Sequence, residues 1–285
     1  YTGDGNWSST KRFYVTPNSD LNRVQSQEIA DLGEVNMADG DTLVDFVTWA
    51  VDTFPSDKYV LIMSDHGMGW PGGWSDGSTT SRGNDNVALS AMGDYIFLME
   101  LDEALQEIRA TTGIDKFEMI GMDACLMGHL EVYTMLADHA RYAVASQETE
   151  PALGWAYASF LSELKANPAM SGAELGNLIV DSYISEDQRI VDDQARAEWL
   201  SRGSPLGGMY GMPTAAQLAQ QLGGGVTLSA IDLGQIPALN DSVNAMAYTL
   251  QGARQNQVAR ARSYAQSFTS IFGQQVPASY LDLGH

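Results

Sequence analysis

The stretch "LIMSDHGMGW", Leu61 to Trp70, allows two readings that lead to different proteins. Three apolar residues, Leu61 to Met63, run into Ser-Asp-His-Gly, and the chain continues so that Gly67, Gly69 and Gly72 spell G-x-G-x-x-G letter for letter. A dinucleotide loop works because its glycines open directly into a helix whose N-terminus holds the pyrophosphate. Here the continuation is "GWSDGSTTSRGNDN", which is no helix, and no acidic residue closes a second strand at the expected distance. The other reading is that the strand delivers His66 to the edge of a sheet, with a glycine-rich turn after it.

The elements around the stretch support the second reading. "KRFYV" (11–15), "KYVLIMS" (58–64), "FEMIGMD" (117–123), "RYAVASQ" (141–147) and "GVTLSAIDL" (225–233) read as strands. Between them, "DTLVDFVTWAVDTF" (41–54), "LMELDEALQEIRA" (98–110) and "GHLEVYTMLADH" (128–139) repeat apolar residues at helical spacing. "AYASFLSELKA" and "AELGNLIVDSYI" are further helices, and roughly 35 helical residues are expected after the last strand. The Gly/Ser/Asn-rich 67–86 reads as a loop. Residues 187–224, rich in Gly, Gln and Ala, read as an insertion or flap within one domain spanning 1–285. Strands alternating with helices predict an α/β fold, a mostly parallel sheet covered on both faces.

In such sheets ligands and reacting groups gather beyond the carboxyl ends of the strands. Three ends carry chemistry here: "SDHG" after 58–64, "MDACLMG" after 117–122 and "SQETEP" after 141–146. His66 and Cys125 each sit just past an apolar strand, so parallel pairing would bring them to one rim. A cysteine nucleophile needs its thiolate, and a nearby imidazole takes the proton or stabilises the anion. Backbone N–H groups in the glycine turn and at Cys125 could then face a developing oxyanion. Taken singly, a cysteine after a strand is a small buried hydrophobe, and a histidine beside an aspartate is structural. The residues alone leave both accounts standing.

Composition narrows the classes. The 285 residues carry a formal net charge of −21, which argues against sequence-independent nucleic-acid binding and against an anionic membrane surface. It is compatible with cationic substrates. No apolar run approaches the ~18 residues of a membrane span; the sequence starts abruptly at "YTGDGNWSSTKRFYV", as expected where a signal or transit segment has already been removed. The single cysteine, Cys125, permits no intrachain disulfide, and one thiol with four histidines leaves little for a zinc cage.

"VLIMSDHGMGW" together with "IGMDACLMGHLEVYTML" resembles the clostripain family of cysteine peptidases, whose fold is caspase-like. "ASQETEPALGWAY" (145–157), "TLSAIDL" (227–233), "RFYVTPNSDLNRV" and "LGEVNMADGDTLVDFVTWA" resemble further blocks of that family, and the likeness leaves out 187–222. The resemblance implies a three-layer α/β/α sandwich and an endopeptidase cleaving after Arg, less well after Lys. By position, Cys125 resembles the nucleophile and His66 the general base, with Gly67 and Cys125 supplying oxyanion-hole N–H groups. Asp123 resembles the acidic residue of the specificity pocket, against the plainer reading of a loop-bracing carboxylate. Glu148 and Glu150 are candidate pocket or metal carboxylates, set against a solvated rim. Trp70 and Trp155 are expected to wall the cleft, and His129 and His139 to be surface or packing residues.

The family also implies self-processing in the loop after the histidine, where Arg82 followed by Gly83 is the basic site. It implies possible calcium (Ca2+) dependence, although no D-x-[DN]-x-[DN]-G loop is present and no ligands are assigned. A secreted or cell-envelope location is expected. Met68 stands where the family usually has glycine. The family starts with a strand before Tyr1 and continues past "YLDLGH", so a processed or partial chain is expected. The alternative is a non-catalytic protein that keeps the fold and binds basic peptides or partners through an acidic cleft.

Overall fold

A computed structural model describes residues 9–18, 23–76, 94–201, 212–269 and 280–284. Its centre is a four-stranded sheet of β3 (Val60–Ser64), β6 (Phe117–Asp123), β7 (Ala140–Ser146) and β8 (Leu228–Asp232), in the order β3-β6-β7-β8. The first three run parallel, and β8 joins β7 antiparallel. β1 (Lys11–Tyr14) and β2 (Gln27–Asp31) form a separate antiparallel pair, as do β4 (Gly72–Ser75) and β5 (Tyr95–Phe97).

The strands are apolar throughout because both faces are covered. Alternate residues take opposite sides. Leu61, Met63, Ile120, Met122, Ala143 and Ala145 face a core built with α1 (Gly40–Thr53), α2 (Leu98–Thr112), α3 (Leu130–Leu136) and the start of α9 (Ile236–Gln251). Met119 and Val144 face the other way, onto α4 (Tyr157–Ala166), α5 (Gly172–Ser182), α6 (Gln188–Val191), α7 (Asp193–Ser201) and α8 (Ala215–Gly223). The result is a three-layer α/β/α sandwich with a mostly parallel sheet. Among the described residues the helical tail is shorter than the sequence suggests: α9 is followed by α10 (Gln255–Arg262).

Local signals fix the helix ends. Asp39 caps α1 by accepting from the Asp41 N–H, and Ser171 with Glu174 forms a capping box at α5. α2 stops at Gly113, whose φ of 73° is costly for residues with a Cβ. The stretch 187–224 contributes Ile190, Leu200 and Leu218 to the same buried cluster as Trp155 and Phe160. His139 is buried at the edge of the sheet where the strands begin, paired with Asp102 at 2.6 Å, remote from the other candidate residues.

Candidate active site

The register of β3 against β6 places the two loaded strand ends together. Ser64 lies opposite Asp123, and the Asp65 N–H donates to the Asp123 carbonyl at 3.3 Å. His66 and Cys125 therefore each stand two residues beyond paired strand ends. The Gly67 and Cys125 backbones nearly touch, since a Cβ on Gly67 would lie 2.1 Å from the Cys125 carbonyl oxygen. Only glycine admits that approach.

The glycine-rich stretch folds back instead of opening a helix. The Trp74 N–H donates to the His66 carbonyl at 2.8 Å, the Met68 N–H to the Gly72 carbonyl at 2.9 Å, and the Ser75 N–H to Asp65 Oδ2 at 2.8 Å. Residues 72–75, read from sequence as loop, become β4, and Gly67 bridges Gly73. This hairpin excludes a phosphate loop and leaves the His66 side chain exposed.

Cys125 sits in a tight turn on the other side. Leu126 follows it at φ 64°, a left-handed conformation that costs a γ-branched residue about 1–2 kcal/mol. The Leu126 N–H donates to the Glu148 carbonyl at 3.2 Å, and the Gly128 N–H to the Ser146 carbonyl at 2.7 Å, binding the turn to the end of β7. Cys125 Sγ, half-buried, accepts the Glu150 N–H at 3.3 Å. Among the described residues, the Gly67 and Cys125 N–H groups have no acceptor.

Beside the thiol two acidic side chains and three aromatic rings form a buried cluster. Asp123 is 6% exposed, and its Oδ2 accepts from the Tyr157 hydroxyl at 2.9 Å, the Trp155 N–H at 3.3 Å and the Ser64 hydroxyl at 3.4 Å. Gly154, at φ 69°, passes so close that a Cβ there would lie 3.1 Å from Oδ2. Trp155 Nε1 donates to Glu150 Oε2 at 3.2 Å, so one residue holds both carboxylates. Glu150 Oε1 and the Tyr183 hydroxyl are both buried, and the Glu150 carboxyl interacts with Tyr183 and Asp123. Burial, and next the Asp123 charge, push the Glu150 carboxyl up to about 8. Burial chiefly raises the Tyr157 and Tyr183 phenols as well.

The structure thus gathers His66, Gly67, Cys125, Asp123, Glu150 and Trp155 at one edge. Glu150 is no solvated rim residue: it turns inward onto the Trp155 indole. Trp155 is 1% exposed and packs against Gly121, where a Cβ would come within 2.8 Å of its ring. Glu148 is engaged elsewhere, its Oε1 accepting the Thr269 N–H at 3.0 Å. Trp70 is exposed, and His129 is a packing residue against Tyr280. Tyr157 and Tyr183 were not legible from sequence, because they come from the start of α4 and the end of α5, with no motif spacing to Cys125. Arg82 and Gly83 lie outside the described residues. No cluster of three or more His, Cys, Asp or Glu side chains able to hold a metal ion occurs among the described residues.

Comparison with known proteins places this edge in context. Clostripain of Hathewaya histolytica is 28% identical over 136 residues, which is 44% of this chain and 24% of that protein. A secreted cysteine protease of Bacteroides thetaiotaomicron, in complex with an irreversible peptide inhibitor, shares the fold. Its TM-score is 0.51 at 23% identity, over 81% of this chain and 54% of the other. A second structure, of the secreted protease of the same organism called iotapain, gives a TM-score of 0.59 at 16% identity, over 96% and 64% of the two chains. The chain thus spans about a quarter of the curated relative's length and between 54% and 64% of the two solved structures'. A model of the clostripain family matches residues 8–284. With that match over nearly its whole length, the chain belongs to the clostripain family.

Proposed function

We propose that these residues form one peptidase domain of a cysteine endopeptidase that cleaves after Arg, and less well after Lys. The observation that carries this reading is the buried carboxylate pair beside the only thiol. A guanidinium entering between Asp123 and Glu150 would meet acceptors in a forked arrangement, with the Trp155, Tyr157 and Tyr183 rings around its flat faces. A lysine ammonium is a point charge and cannot use the fork in the same way. Two acidic groups sharing one buried site support a cation as the expected guest, since each disfavours the ionised form of the other until a positive charge enters.

The chemistry follows from the strand ends. His66 takes the thiol proton, and Cys125 Sγ attacks the carbonyl carbon on the C-terminal side of the bound arginine. The oxyanion is held by the Gly67 and Cys125 N–H groups, which have no acceptor of their own among the described residues. His66 then returns the proton to the leaving amine as the C–N bond breaks, giving a thioester. A water, deprotonated by His66, attacks the thioester, and the carboxylate departs as the thiol regains its proton. The protein partners of this reading are peptides with Arg or Lys before the scissile bond. Because its structural neighbours are described as secreted, we extend a secreted location to this protein.

The test is turnover of fluorogenic peptides ending in Arg, Lys or Asp by wild type, Cys125→Ala and His66→Ala. Arg above Lys, with no Asp cleavage and both variants inactive, is expected. Equal turnover by wild type and Cys125→Ala would sink the mechanism. An unreactive, ordinary Cys125 in a protein that still binds arginyl peptides would make the acidic cleft a binding site.

A further inference from the structure

The loop after His66 is held by a residue far away in the chain. Tyr280 is 1% exposed, and its hydroxyl donates to the Met68 carbonyl. Its ring stands edge-on to His129, with centroids 4.3 Å apart. Gly69 lies at φ 82°, and a Cβ there would come within 3.1 Å of the Tyr280 ring and hydroxyl. Burial, above all, pushes the Tyr280 phenol up to about 12, so it remains a donor across the neutral range.

The segment carrying Tyr280 is fastened on both sides of the site. The Phe268 N–H donates to the Tyr280 carbonyl at 2.8 Å, the Asp282 N–H to the Gln266 carbonyl at 3.1 Å, and Ser267 bridges Leu281. The next residue in that ladder, Thr269, donates its N–H to Glu148 Oε1 at 3.0 Å. The Glu148 backbone carbonyl in turn accepts the Leu126 N–H, one residue past Cys125. One short antiparallel pairing near the C-terminal end therefore grips the histidine loop through Met68 and the cysteine turn through Glu148.

We propose that Tyr280 is a positioning residue: by fixing the Met68 carbonyl it sets where the His66–Gly67 backbone stands relative to Cys125. The proposal rests on the reading of His66 and Cys125 as the reacting pair. Orientation is where such a contact acts, since small misplacements of reacting groups cost far more rate than binding. Tyr280 touches no reacting atom itself. Its effect is expected in kcat, not in KM, because the Asp123–Glu150 pocket hangs on β6 and the loop after β7, which Met68 does not support.

Tyr280→Phe removes the hydroxyl and keeps the ring on His129. On an arginyl peptide, kcat is expected to fall about 3- to 10-fold, the range set by one hydrogen bond, with KM within twofold and little change in melting temperature. Alkylation of Cys125 by iodoacetamide near pH 6–7, which needs no occupied pocket, is expected to slow in parallel. Gly69→Ala reads the same contact from the loop side, should Tyr280→Phe fail to fold, and is expected to lower kcat likewise. Wild-type kcat in Tyr280→Phe, or a loss confined to KM or to melting temperature, would overturn the proposal. Cys125→Ala and His66→Ala serve as the separate control: full activity in those variants would refute the reacting pair, whatever Tyr280→Phe does.

Discussion

Glu150→Gln isolates the most unusual group in the pocket. In the folded protein the Glu150 carboxyl is displaced from the ordinary glutamate value of 4.5 to about 8, first by burial and then by the Asp123 charge. The sign follows from proton counting. Between those two values the folded state holds a proton that the unfolded state has released, so stability falls as pH rises through the window and is lowest above it. At about 1.36 kcal/mol for each pKa unit, the ceiling is roughly 5 kcal/mol, and relaxation of a partly accessible site leaves about 2–5 kcal/mol. Glutamine keeps the shape and the indole contact without ionising. Melting curves of both proteins from pH 4.5 to 9 are expected to coincide near pH 4.5 and to separate steadily, with Glu150→Gln higher by at least about 4 °C above pH 8. Substrate should act in the opposite direction. An arginine side chain in the pocket favours the ionised carboxylate, so the wild-type KM is expected to fall toward pH 8, while Glu150→Gln shows a higher KM without that trend. Parallel melting curves across the whole range would show that Glu150 ionises as an ordinary glutamate, and the argument for a strained carboxylate pair would fail.

Gly67→Ala drives a Cβ into the Cys125 carbonyl oxygen, backbone against backbone, and is expected to cut kcat by about 100-fold or more; near-normal turnover in a peptide assay would show the loop has room to yield. Gly121→Ala presses on the Trp155 ring, so a raised KM for arginyl peptides with a changed indole emission is expected; unchanged fluorescence and KM would show the ring is not fixed by this contact. Active protein on standing is expected to be cut between Arg82 and Gly83, giving fragments that stay together, while Cys125→Ala stays whole. Mass spectrometry decides it, and the same cut in both proteins would assign it to another protease.

The parts of the fold that were readable are those whose own residues carry the signal. "KYVLIMS", "FEMIGMD" and "RYAVASQ" are apolar because both faces are covered, and they became β3, β6 and β7. β4 was hidden because "GGWS" has no strand propensity; it forms where Gly67 and Gly73 can approach and where β5 pairs with it. β2 was missed because "QEIAD" is mostly exposed and shows no buried alternation. In the site, His66 and Cys125 announced themselves by following strands. The pocket did not: Tyr157 and Tyr183 arrive from helices on one face, and Tyr280 reaches Met68 across 212 residues. Contacts of that sequence separation depend on how the layers stack, which local periodicity does not encode.

The two halves of this edge are mounted unequally. β6, which leads to Cys125, is hydrogen-bonded on both sides and covered on both faces. β3, which leads to His66, is an outer strand with one partner among the described residues. Opening free energies in a fold are lowest where the ladder is least supported. On warming, amide exchange at Met63 and Ser64 should therefore quicken before that at Met122 and Asp123. The imidazole side would then drift away while the thiol still stands on an intact strand, so that heat removes the activity some degrees before it removes the fold.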